Sequence, residues 1–369
     1  MIEPKVIEEG KTLNIQQQLM LIKPISPQKI KEIIFGISST KSPGPNGFGS
    51  GFFKKQWHVV GTLVTEAVME FFQKDKTLNQ VISKIICGRL RGVLKELVNW
   101  NQGAFVEGRE LLQNVLLCQE LARGYGRKNI SPRCLLKLDI RKAYDSVSWE
   151  AVRGILTHMK FPEQFVRWVI FCVTTPSYSL VVNGEPHGYF KGTNGLRQGD
   201  PISPLLFVLV MEYLTSLFSY STKISKFRYH PMCASLKVVN LIFADDLIVG
   251  CKADVKSVKV IMEVLERFNK CTGLQINKEK SSIVFGGCKE DLEKEIISIT
   301  QMNKGELPFT YLGCPISSSR LSIQDCDNLV EKICAKITTW SSKHLTYAGD
   351  EDYPSNMQKF SLELKSRIQ

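Results

Sequence analysis

The chain has 369 residues, 43% of them hydrophobic and 23% charged, enough for one large or two ordinary cores and too apolar for a disordered chain. Its 48 Lys and Arg outnumber 36 Asp and Glu, leaving a formal charge of +12 that favours a polyanionic partner. The 11 cysteines form no C-x-x-C pair and no zinc-type spacing with histidine, which argues against a disulfide framework or zinc site and for free thiols in an intracellular compartment.

The N-terminus, MIEPKVIEEGKTLN, lacks a basic segment followed by an apolar run, so no signal peptide is read there. From Ser26, SPQKIKEIIFGI predicts a helix with Ser26 as N-cap, Pro27 at the first helical position, and Ile30, Ile33, Ile34 and Ile37 on one face. KSPGPNGFG then predicts a loop. Helical periodicity resumes over Phe52 to Gln73, with Phe53, Trp57, Val60, Val64, Val68 and Phe71 or Phe72 inward. The polar join KDKTLNQ leads to a helix over Val81 to Val98, the loop NWNQGAFVEGRE, and a helix over about Leu111 to Tyr125.

CLLKLDI, Cys134 to Ile140, is a strand candidate ending in an acid, and Ser146 or Ser148 caps a following helix with Glu150 in its first turn. YSLVVNGEPHGYF predicts a hairpin across Asn183-Gly184. The loop KGTNGLRQGDPISP opens an apolar run, Ile202 to Tyr220, of nearly bilayer length. Glu212 inside it and the polar turn before it favour a buried core helix over a membrane span. VVNLIFADDLIVG, Val238 to Gly250, predicts either a strand covered on both faces or a hairpin folded back on itself with two acids at its tip. A helix over Val255 to Cys271 stops at Gly273, and the strand SSIVFGG follows. Helices and strands intermix without a repeat period, which predicts an α+β fold.

Asp139 ends one predicted strand while Asp245 and Asp246 interrupt another. If the two are neighbours, three carboxylates converge, a costly arrangement unless Mg2+ or Mn2+ lies between them. Two such ions about 3.5–4 Å apart can activate an attacking oxygen and stabilise a leaving one, as in polymerases and nucleases. A solvated surface turn is the competing explanation for the acid pair.

Five ordered motifs narrow the choice: LKLDIRKAYDSV (136–147), GLRQGDPISPLLF (195–207), FADDL (243–247), GLQINKEKS (273–281) and FTYLGCPI (309–316). In order and spacing they resemble the reverse transcriptase of LINE-type non-LTR retrotransposons, particularly plant ones, and KSPGPNGF resembles the loop preceding that family's fingers. The resemblance runs from about Ile25 to Ala348. It implies a right-hand polymerase with fingers, a mostly antiparallel palm sheet flanked by helices, and an incomplete thumb. It further implies RNA-directed DNA synthesis from dNTPs on an RNA template and DNA primer, with two Mg2+ or Mn2+ ions and no membrane partner.

Residue by residue, Asp139, Asp245 and Asp246 resemble the metal-binding catalytic acids, and Lys280 the lysine beside the departing pyrophosphate. Tyr144 resembles the aromatic under the incoming sugar, and Arg197, Gln198 and Gly199 the turn touching nucleotide and template. Tyr311, Leu312 and Gly313 resemble the primer-grip hairpin. Taken without the family, these are a core tyrosine, a helix start, an exposed lysine and a plain β-turn.

The family normally carries a longer segment with a strand pair where KDKTLNQ joins two helices here. That segment supplies sheet and the basic residues that hold the triphosphate. The expected organisation is an N-terminal extension (1–24), a partial fingers segment (25–80), the palm with remaining fingers helices (81–317), the start of a thumb (318–349) and an unrelated disordered tail (350–369). With neither an endonuclease part before it nor a ribonuclease H part or Cys/His knuckle after it, the chain is read as a truncated element product. The alternative to an active polymerase is an inactive retrotransposon remnant with residual nucleic-acid binding. A two-metal nuclease is a weaker third reading, which GLRQGDP and YLG oppose.

Overall fold

A computed structural model describes residues 2–8, 10–39, 48–74, 80–127, 129–319, 330–331 and 333–335. The loop KSPGPNGF lies outside these residues except for Phe48, as do positions 75–79 of the polar join, most of the expected thumb and the whole tail.

The N-terminal third is helical, with α1 (Pro4–Ile7), α2 (Ile15–Ile22), α3 (Pro27–Phe35), α4 (Ser50–Lys55), α5 (Trp57–Lys74), α6 (Gln80–Leu97) and α7 (Leu111–Ala122). Ser26 caps α3 as expected, accepting the Lys29 N–H at 3.3 Å, and Ile30 and Ile34 face inward. Asn14 and Gln17 cap α2 reciprocally, each side chain accepting the other's N–H at 2.9 Å. The helix expected over Phe52 to Gln73 is divided: α4 ends at Lys55 and α5 begins at Trp57.

The rest of the chain is mixed: β1 (Arg133–Leu138), α8 (Trp149–His158), α9 (Glu163–Thr174), β2 (Ser177–Val182), β3 (Glu185–Lys191), α10 (Ser203–Ile224), β4 (Asn240–Phe243), β5 (Asp246–Lys252), α11 (Val255–Thr272), β6 (Ser282–Gly286), α12 (Glu290–Thr300), β7 (Asn303–Lys304), β8 (Phe309–Tyr311) and β9 (Cys314–Ile316). A five-stranded sheet has the order β4-β5-β1-β6-β7, antiparallel except for β6-β7. The α+β, mostly antiparallel expectation therefore holds. β2 and β3 form the separate hairpin expected across Asn183-Gly184, with both loop residues at positive φ.

Strand alternation sends successive side chains to opposite faces. On one face Cys134, Leu136, Leu138, Leu247, Val249 and Ile283 join the large core formed with α8, α10 and α11. On the other, Leu135, Ile248, Leu241 and Val284 pack with Val115, Cys118 and Leu121 of α7 and with Tyr311 and Ile316 of the β8-β9 hairpin. α10 is the central helix. It is long and apolar enough to cross a membrane by length and composition, yet 89% of its apolar window is buried inside the protein, as expected of a core helix.

Candidate active site

The two acids of FADDL occupy a hairpin tip. Phe243 pairs with Asp246, leaving Ala244 and Asp245 as the loop, with Ala244 at φ 56°. Asp245 and Asp246 are exposed, which decides for the hairpin with acids at its tip and corrects the alternative of a strand covered on both faces. The apolar flanks are buried, but β4 ends at Phe243 and the chain reverses there, so the charges reach water. Asp139 follows the last residue of β1. Because Leu138 pairs with Leu247 in the antiparallel register, Asp139 is carried to the level of Asp246, and both lie on the sheet face of Lys137 and Ile248.

Partial burial, the Asp245 charge and the Asp139 charge all push the Asp246 carboxyl above the usual carboxylate range, against the pull of Lys137. Three acids and one lysine therefore share one field at the end of β1 and the β4-β5 tip. Lys137 was not singled out in the sequence. Its signal is a lysine within the apolar run CLLKL, on the same strand face as Asp139. Its Nζ donates to the Thr310 carbonyl at 2.8 Å and lies 5.9 Å from the Phe309 ring centroid, tying the β8-β9 hairpin to the acids.

The 275–281 segment closes on Asp139 from the other side. The Asn277 N–H donates to the Asp139 carbonyl at 2.8 Å, and the Arg141 N–H donates to the Gln275 carbonyl at 2.9 Å. The Ser281 hydroxyl accepts the Asp139 N–H at 3.1 Å and donates to the Asn277 carbonyl at 2.7 Å. These bonds fix the turn that holds Lys280, whose side chain is exposed. Gly273 at φ +81° lets the chain pass over the 146–148 loop, where a Cβ would meet the Ser146 carbonyl at 2.5 Å.

The GLRQGDP loop docks on the segment after Asp139. Leu196 N–H donates to the Tyr144 carbonyl and Gly195 N–H to the Val147 carbonyl, each at 2.8 Å. Gly195 has φ +90°, and a Cβ there would lie 2.8 Å from the Asp145 carbonyl oxygen, so the close approach requires glycine. The Trp149 indole N–H donates to the Gly195 carbonyl at 2.7 Å. Arg197, Gln198 and Gly199 lie exposed in the following turn. Asp200 accepts the Ile202 N–H at 3.1 Å and the Ser83 hydroxyl, anchoring this turn to α6.

Tyr144 stacks on Phe207 of α10 with ring centroids 5.0 Å apart. Burial, and secondarily the charge of Asp245, push its hydroxyl pKa up, which places the phenol in the field of the acids. Tyr311 is buried beneath the β8-β9 hairpin, whose turn is made by Leu312 and Gly313, both at positive φ. Burial raises its pKa, with smaller contributions that include Asp246. Lys280 and the β8-β9 hairpin thus lie on segments hydrogen-bonded to the strand end that carries Asp139, whereas the Arg197–Gly199 turn is tied to the 144–147 segment and to α6.

Among the described residues no group of three His, Cys, Asp or Glu side chains is disposed to hold a metal ion by itself. The acids nonetheless suit a hard cation that takes oxygen from one or two carboxylates and the remainder from water and phosphate. The mutual repulsion felt by Asp246 is what such a cation would relieve.

A family model described as reverse transcriptase (RNA-dependent DNA polymerase) matches residues 73–316, more than half of the chain. Similar proteins include the Transposon TX1 uncharacterized 149 kDa protein of Xenopus laevis, 24% identical over 352 residues that cover 86% of this chain and 26% of that protein. Another is the Retrovirus-related Pol polyprotein from type-1 retrotransposable element R2 of Popillia japonica, 27% identical over 203 residues covering 53% and 32%. The chain thus spans about a quarter to a third of the length of these relatives, which are of the non-LTR retrotransposon type. Among solved structures, telomerase from Candida albicans in complex with the TWJ fragment of telomeric RNA aligns at a TM-score of 0.49 and 9% identity, covering 87% of this chain and 55% of that one. By the family match across the acid hairpin and its surrounding motifs, the chain belongs to the reverse transcriptase (RNA-dependent DNA polymerase) family.

Proposed function

We propose that this chain is the polymerase part of a non-LTR retrotransposon reverse transcriptase of the plant LINE type, extending a DNA primer along an RNA template with dNTPs. The observation that carries the reading is the register placing Asp139 level with Asp246, one residue from Asp245 at the hairpin tip. Asp139, Asp245 and Asp246 would hold the divalent ions, Mg2+ or Mn2+, with substrate phosphate and water completing the shell. When bound, such ions favour attack by the primer 3′-hydroxyl on the α-phosphate and stabilise the departing pyrophosphate.

The residues around the acids have distinct tasks in this reading. Tyr144, held flat on Phe207, forms the floor for the incoming sugar and excludes a 2′-hydroxyl. Arg197, Gln198 and Gly199 present exposed donors and backbone to the nucleotide and the templating base. Lys280 offers positive charge to the leaving phosphates from a turn fixed to Asp139 by Ser281. The hairpin of Tyr311, Leu312 and Gly313 supports the primer end. Lys and Arg contacts to phosphates supply most of the affinity, which is salt-dependent and weakly sequence-specific.

The domain boundaries at residues 24, 80, 317 and 349 and the intracellular setting are part of the same proposal. A second reading, an inactive remnant that retains nucleic-acid binding, is favoured by the short join between α5 and α6, where the resembled family has a triphosphate-binding segment. Primer extension on poly(rA)·oligo(dT) with dTTP and Mg2+ or Mn2+ separates the two. Extension that disappears in Asp245→Ala supports the polymerase, whereas folded wild-type protein that binds RNA without extending supports the remnant.

A further inference from the structure

The hairpin tip carrying Asp245 and Asp246 has a further partner in the loop that follows α6. The loop 101–104 runs along the free edge of β4. Ile242 N–H donates to the Asn101 carbonyl and Gly103 N–H donates to the Ile242 carbonyl, each at 2.8 Å, so Gln102 pairs with Ile242 as a parallel bridge. The Asn114 amide also donates to the Ile242 carbonyl at 2.9 Å. At Gly103 a Cβ would fall 2.5 Å from the Asn114 Oδ1 and 3.0 Å from the Phe243 ring, so the loop is pressed against the last residue of β4.

Gln102 is fully buried. Its Oε1 accepts the Ala104 N–H at 2.9 Å and the Ala244 N–H at 3.4 Å. Ala244 is the first residue of the two-residue tip and has φ 56°, a conformation unfavourable for alanine. The other end of the amide, Nε2, is buried without a hydrogen-bond partner. A side chain there only to fill space would be better served by methionine, which has a similar reach and leaves no orphan amide.

We infer that Gln102 is a positioning residue for the acid hairpin: its carbonyl oxygen holds the Ala244 amide and thereby fixes the tip that presents Asp245 and Asp246. The base of the loop is anchored independently. Asn99 donates to the buried Glu212 carboxylate through its backbone N–H at 3.0 Å and through its side-chain amide. Arg109 donates to the Val98 carbonyl at 2.7 Å and the Gln102 carbonyl at 2.6 Å. The inference that this matters for synthesis rests on the proposed polymerase function; the mechanical claim does not.

The test is hydrogen exchange of segment 242–247 and of β1 in the folded full chain, wild type beside Gln102→Met and Gln102→Glu. Gln102→Met removes the acceptor, and Gln102→Glu keeps an oxygen at the same reach. The expected result is exchange at the hairpin about tenfold faster in Gln102→Met, with β1 unchanged and Gln102→Glu within about twofold of wild type. Where wild type extends primers, Gln102→Met should lower kcat about fivefold or more with KM for dTTP within about twofold, and Gln102→Glu should restore it. Hairpin exchange in Gln102→Met within about twofold of wild type, or faster exchange spread equally over β1, overturns the inference. Should Gln102→Met not fold, Gln102→Glu decides alone: retained hairpin protection keeps the assignment and its loss in folded protein overturns it. Exchange is read without nucleotide, so an inactive wild type counts against the polymerase reading and leaves this result intact.

Discussion

The two faces of the central sheet are made by the same strands and do different work. Toward α8, α10 and α11, Leu136, Leu138, Leu247 and Val249 are buried in one apolar core. Toward α7 and the β8-β9 hairpin, alternate residues run from buried Leu135 and Ile248 through Lys137 to Asp139 and Asp246 at an open end. The first face is organised by apolar contact, and the second ends in a cluster of like charges that disfavours its own ionisation. The contrast is between a face that is apolar along its length and one whose apolar packing gives way to acids at its open end, so under the proposed function substitutions at Leu138 and Asp139 should fail in different ways.

The largest expected effect is on synthesis. Under the proposed function, Asp139→Ala and Asp245→Ala should each lower primer extension by about 10²–10³-fold or more, while the excess of Lys and Arg still retains RNA in a filter-binding assay. Their melting temperatures should match or exceed wild type, because one member of a repelling cluster is gone. On the opposite face, Leu136→Ala leaves a cavity at a fully buried site and should cost about 2–5 kcal/mol in a denaturant titration.

A pH prediction sharpens the comparison, because each side of the sheet has a buried ionisable group. Burial pushes the Glu212 carboxyl on α10 up to about 7 from 4.5, only partly offset by the Asn99 hydrogen bonds and Arg109. Its folded form binds the proton more tightly than the unfolded chain, so its contribution, on the order of 3 kcal/mol, is present at low pH and lost as pH rises from 4.5 to about 7. His230, stacked on Tyr125 and bonded to its hydroxyl at 3.0 Å, is lowered to about 4 from 6.5 by burial and by Arg133. Its contribution has the opposite sign, present above 6.5 and lost as pH falls toward 4. The two slopes oppose each other in wild type. Glu212→Gln should therefore expose a marked loss of stability on acidification, and His230→Gln the reverse, both read from urea midpoints across the range.

The smallest expected effect is one of selection. Tyr144→Val should raise ribonucleotide incorporation relative to deoxyribonucleotide by about tenfold, while Tyr144→Phe should leave the ratio near wild type, since stacking on Phe207 needs only the ring. Competition between rUTP and dTTP on poly(rA) measures the ratio directly.

Much of this arrangement is legible in the sequence where local chemistry decides it. Ser26 and Ser148 cap the helices they were expected to cap, Asn183-Gly184 turns a hairpin, and Gly273 ends α11 in the left-handed region. The acids of FADDL were placed by the turn alternative, yet their apolar flanks suggested burial. Alternation alone does not say where a strand stops, and the tip at Ala244 makes both acids exposed. α9, which the sequence reading leaves out, carries Phe165, Val166, Trp168, Val169, Ile170, Cys172 and Val173 buried and Glu163, Arg167 and Thr174 on its remaining side, a helical pattern the sequence does display. The break at Gln56 has neither proline nor glycine to announce it. Lys137 is marked in the sequence only as a lysine inside an apolar run, and Gln102 not at all, because their partners lie far along the chain at Thr310 and Ala244.

One pair of measurements on the same preparation tests the separation of faces most directly: thermal melting and primer extension of wild type, Asp245→Ala and Leu136→Ala. Asp245→Ala should melt at or above the wild-type temperature with its synthesis abolished, and Leu136→Ala should melt lower while its folded fraction still extends primers. Synthesis by Asp245→Ala at the wild-type rate, or no synthesis by folded wild type, would contradict that separation.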